Sequence, residues 1–109
     1  MIERKLEAEQ SGKSFYWEVR HLESKKFEDK YGFRQIEEGY KQSSLGDQHP
    51  QNLIFYHHHW GASVVIRGNL IGARDCVRIV GDEKAVELAV RDIQRFSSDY
   101  NKKLSEVVL

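Results

Sequence analysis

Alternation of apolar and polar positions dominates SFYWEVRHL, residues 14–22. Phe15, Trp17, Val19 and His21 fall on one face, and Tyr16, Glu18, Arg20 and Leu22 on the other. A period of two predicts a half-buried first strand. In SKKFEDKYG the period lengthens. Phe27 and Tyr31 stand four apart, Ser24 is placed to cap a short helix, and Gly32 supplies the left-handed residue that ends it. FRQIEEGY then resumes as a strand, and KQSSLGDQHPQN, with the sole proline Pro50, reads as a loop long enough to be functional or mobile.

The stretch FYHHHWGASVVIRG reads as a hairpin. Gly61 at the first central position suits a two-residue type II′ turn, which pairs Trp60 with Ser63 and His59 with Val64. Opposed residues share a face. Leu53, Phe55, His57, His59, Val64, Ile66 and Leu70 therefore form the apolar set expected against a helix. Ile54, Tyr56, His58, Trp60, Ser63, Val65 and Arg67 form the open set.

A strand CVRIV follows at 76–80. The final helix begins after Gly81 with Asp82 as N-cap, and Val86, Ala89, Val90, Ile93, Phe96, Tyr100 and Leu104 recur at spacings of three and four. Glu87 with Arg91 and Asp99 with Lys103 are expected as exposed i, i+4 pairs. Residues 1–13 are mostly polar and charged, with Ile2 and Leu6 too sparse for a helix, and read as a flexible N-terminal arm, leaving 14–109 as a single domain. The expected architecture is α+β: a single-layer, mainly antiparallel sheet of about four to five strands, packed against a long C-terminal helix and a short N-terminal helix.

Two short phrases carry resemblances. SKKFEDKYGF resembles helix-to-strand passages of acetyltransferases and of glyoxalase-type βαβββ modules, but the pantetheine-binding glycine motif is absent and no function is carried over. VRIVGDEKAVELAVRDIQ resembles the closing strand and helix of KH domains, whereas GNLIG is spaced GxxxG rather than GxxG and lacks a helical partner.

Composition adds a few boundaries. The 109 residues are 39% hydrophobic and 31% charged, with 17 basic against 17 acidic side chains, which excludes a global basic field. Locally, Arg67, Arg74 and Arg78 face only Asp75 between residues 51 and 81, so an anion-facing surface is expected there. Cys76 is the only cysteine, which rules out an intrachain disulfide. No signal-like or membrane-spanning run is present, and the reading is cytoplasmic.

The candidate chemistry follows from the faces. Tyr56, His58, Trp60, Arg67 and Arg78 combine rings that stack bases with side chains that meet phosphates. The leading expectation is a small non-catalytic module that binds single-stranded nucleic acid or a nucleotide. His57 and His59, an HxH pair on one side of a strand, are the candidates for catalysis or, with His21, for a divalent metal. They motivate the first alternative, a small His-dependent hydrolase or phosphodiesterase. The second is a protein-protein adaptor or homodimerising domain, since Tyr, Trp and Arg also make interface hot spots. No cofactor beyond that metal, and no membrane partner, is expected.

Overall fold

The computed structural model describes residues 1–9, 15–41, 51–69, 74–100 and 103–108. Their order is β1 (Ile2–Ala8), α1 (Phe15–Trp17) running into a π-helical turn (Glu18–Leu22), α2 (Ser24–Asp29), β2 (Phe33–Lys41), β3 (Gln51–His58), β4 (Ser63–Asn69), β5 (Cys76–Gly81), α3 (Glu83–Asp99) and β6 (Leu104–Val107). The strands form one antiparallel sheet in the order β2-β3-β4-β5-β1-β6. The α+β class is as expected, with six strands in place of four to five. No described helix is long and apolar enough to cross a membrane. Of the loop expected at 41–52, residues 42–50 lie outside the described residues.

Three expectations are corrected. Residues 2–8 are a strand held between β5 and β6, where an arm was expected. Leu6 and Ala8 alternate into the core, but Arg4 takes the next inward position and pairs with Glu106, so the apolar signal is sparse. Residues 15–22 are helical and not a strand. The buried apolar set is Phe15, Tyr16 and Val19, a helical spacing hidden by aromatic and β-branched composition that favours strands. Lastly, Leu104 belongs to β6. It sits four residues beyond Tyr100, so helical periodicity alone includes it, but pairing with Ala8 of β1 places it in the sheet.

The helix–sheet core is largely aromatic. Phe27 stacks on Phe33 with ring centroids 4.2 Å apart and meets Tyr56 and Phe96 edge-on, each at 5.0 Å. Phe27 and Tyr31 are buried together, as their spacing predicts, and Gly32 takes φ +76° directly after α2. Glu23, not Ser24, occupies the N-cap position, and neither it nor Asp82 of α3 makes a side-chain capping bond. Val86, Ala89, Val90, Ile93 and Phe96 turn inward from α3, whose 17 residues lie against β5 and β1. The predicted helical ion pairs give way to others: Arg91 binds Asp92, and Asp99 is shared by Lys30 and Tyr31.

Candidate functional site

The hairpin register decides which side chains reach which surface. Tyr56 pairs with Val64 and His57 with Ser63. The turn is longer than two residues: the His58 amide donates to the Ala62 carbonyl at 2.9 Å, and His59, Trp60 and Gly61 lie between. Gly61, at φ +109°, provides the backbone conformation that closes it. Val64 was expected to face His59 and instead faces Tyr56, a shift of three. An odd shift inverts one strand against the other, so the predicted faces are corrected for all of β3.

Ile54, Tyr56 and His58 turn inward with Val64 and Ile66. Tyr56 and His58 are therefore not on the open surface with Arg67 and Arg78, and the expected five-residue patch does not exist as one surface. Trp60 stands exposed at the turn. His57 and His59 do not form a pair on one side of a strand either: β3 ends at His58, leaving His57 half-buried and His59 exposed in the turn. The side chain of His21 lies outside the described residues.

On the inward face His58 is fully buried, and its Nε2 lies 2.8 Å from Oδ2 of Asp92 on α3. The other Asp92 oxygen accepts from Nε and Nη2 of Arg91, both at 3.2 Å. The Trp60 amide donates to His58 Nδ1 at 3.4 Å, a pattern satisfied by the neutral ring protonated at Nε2. Burial lowers the His58 pKa below its ordinary value, against the opposing pull of the Asp92 hydrogen bond. Next to it, the His59 amide donates to the Gly32 carbonyl at 2.9 Å, with the His59 ring Nδ1 3.4 Å from the same oxygen. His58, His59 and Asp92 each bring one ligand atom within 4.8 Å of the others, a set able to hold a metal ion. It opens on a groove of about 1040 Å³ whose cations are largely matched: Arg4 by Glu106, Arg91 by Asp92 and Lys30 by Asp99.

An unfolded His58 titrates near pH 6.5, whereas the folded ring resists protonation. The unfolded state then takes the proton first, so stability present above about pH 6.5 is lost as the pH falls towards the folded pKa. Asp92, Arg91 and His59 are the charged or titratable groups facing the ring. Thermal midpoints measured from about pH 7.5 to 5 should decline in the wild type and decline less in His58→Gln. Equal slopes would contradict this assignment.

The opposite face of the sheet is built in cross-strand rows. Arg34, His57, Ser63, Val80 and Glu3 form one; Glu37, Phe55, Val65, Arg78, Lys5 and Val107 the next; Gly39, Leu53, Arg67, Cys76, Glu7 and Ser105 the third. Leu53, Phe55, Val65 and Val80 are half-buried apolar side chains in the middle, and no described element packs over them. Arg78 reaches Glu3 at 2.9 Å. Arg67 lies beside buried Cys76, whose thiol pKa is pushed up by desolvation, and the Arg67 Nε is buried without a hydrogen-bond partner. These side chains line a shallow concavity of about 410 Å³.

Sequence reasoning missed Asp92, Phe55 and Arg34. Asp92 carried a signal: it lies three residues after Ala89 and four before Phe96, within the apolar stripe of α3, and an acid there requires a polar partner. Comparison of the chain with protein-family models, curated proteins and solved structures finds no match in any of the three.

Proposed function

We propose that the protein is a small binding module whose open sheet face takes single-stranded nucleic acid or a nucleotide. The observation that carries the reading is the half-buried Phe55, which shares its row with Arg78 and lies between the row of Arg34 and the row of Arg67, whose Nε has no hydrogen-bond partner. Phe55 supplies the π-face on which a base stacks. Arg67, Arg78 and Arg34 supply donors for phosphate oxygens, and Val65 and Leu53 exclude water beneath the base. Trp60, exposed at the turn, extends the surface at its edge.

Binding of a short oligouridylate, followed at several salt concentrations, tests the reading. Phe55→Ala should weaken it by about 1–3 kcal/mol. Arg67→Ala and Arg78→Ala should each weaken it and reduce the salt slope by about one. Arg95→Ala, an equal loss of charge from the helix side, should leave affinity unchanged. Equal affinity in all four variants would overturn the proposal. So would a concentration-dependent dimer broken by Phe55→Glu in protein that binds no oligonucleotide, an outcome assigning the face to a protein interface.

A second reading, a small His-dependent hydrolase, is favoured by the grouping of His58, His59 and Asp92 beside an open groove. His59 is the exposed member and the one able to touch a substrate.

A further inference from the structure

We propose that His58, His59 and Asp92 form a binding site for one zinc-class transition-metal dication, on the side of the sheet opposite the proposed oligonucleotide surface. Two imidazoles and a carboxylate are a ligand set suited to zinc, and three protein ligands leave a coordination position open.

Consecutive histidines on a strand point apart, but β3 ends at His58 and the turn carries His59 back towards it. Their ring centroids lie 4.4 Å apart. Zinc–ligand bonds of about 2.0–2.1 Å at tetrahedral angles separate donor atoms by about 3.3 Å. The His58 Nε2 to Asp92 Oδ2 distance is 2.8 Å, so these two ligands need to part by only about half an ångström. Both are buried, and the entropy of ordering them is already spent in folding. His59 is exposed and can rotate inward to complete the set.

The surroundings fit the outer positions of such a site. Arg91 occupies Asp92 Oδ1 with two N–H groups and leaves Oδ2 for the ion. The Gly32 carbonyl near His59 Nδ1 is an acceptor for a ring proton there, which directs Nε2 to the metal. When the ion takes Nε2 of His58, the ring proton moves to Nδ1 at the expense of the long Trp60 amide contact. The open position faces the groove lined by Arg4, Arg91 and Arg95, where water or an anionic oxygen completes the coordination.

Chelator-treated protein without an affinity tag, titrated with Co(II) and then Zn(II), tests the site. One equivalent of Co(II) should give tetrahedral visible absorption, which one equivalent of Zn(II) removes, and Zn(II) should raise the thermal midpoint. His59→Ala, altered at an exposed side chain, should bind at least about 100-fold more weakly. Asp92→Asn, which keeps an oxygen to accept from His58, should lose the tetrahedral spectrum. Absence of stoichiometric binding, or unchanged affinity and spectrum in both variants, would overturn the site.

Discussion

Phe27→Ala should lower the unfolding free energy by about 3–5 kcal/mol, the range for removing a buried aromatic side chain. Phe27 is fully buried and joins three elements at once: it stacks on Phe33 of β2 and sits edge-on to Tyr56 of β3 and Phe96 of α3. Truncation removes both the apolar area and the oriented ring contacts. The loss cannot stay local, because α2 has 6 residues and is too short to be stable without its packing. Loosening α2 also releases Gly32, whose carbonyl anchors His59. Urea denaturation measures the effect, and Phe27→Leu should recover a large part of it. A loss below about 1 kcal/mol would mean that the aromatic cluster is not the centre of the fold.

The second large effect is expected at Gly68. A methyl group there would stand 2.6 Å from Cγ and 2.7 Å from Cβ of Tyr16. Because the Tyr16 Cβ is fixed to its backbone, rotation of the ring cannot clear the overlap, and α1 itself must move. It is held by the Tyr16 amide, which donates to buried Asp75 at 2.8 Å. Overpacking of this kind costs about 1–3 kcal/mol, and Gly68→Ala should fall towards the upper end of that range. The same methyl group at Gly32 would overlap the exposed His59 ring, and there the left-handed backbone at φ +76° adds a strain that no movement of the ring relieves. A Gly68→Ala protein as stable as the wild type would contradict the packing of α1 on β4.

Much of the architecture was legible because it rests on local periodicity. The inward stripe of α3, the pair Phe27 and Tyr31, the positive φ of Gly32 and the strand at 76–80 were each read from spacing alone. What failed depended on contacts remote in sequence. β1 owes its place to β5 and β6 at the other end of the chain, and nothing near Leu6 encodes that pairing. The helical state of residues 15–22 is selected by Phe15 against Phe96 and by Tyr16 against Asp75 and Gly68. Local strand preference gives way to that packing.

The site was less legible than the fold, for one reason of geometry. The dipeptide Gly61-Ala62 suits a two-residue turn, but fully burying Tyr56 with Ile54 and Ile66 requires the longer one. A single misplaced register exchanged the faces of His57 and His58 and dispersed the expected patch, although Arg67 and Arg78 do share the open face. Asp92 would have corrected it, since a buried acid on α3 demands a donor from the facing strand, and His58 is the donor at that height.

Titration of isotopically labelled protein with a short oligouridylate, following every backbone amide, tests the central assignment most directly. Shifts should concentrate at Phe55, Val65, Arg67 and Arg78, with α3 unaffected. Shifts gathered instead around His59, Arg91 and Arg95, or none at all at saturating oligonucleotide, would contradict it.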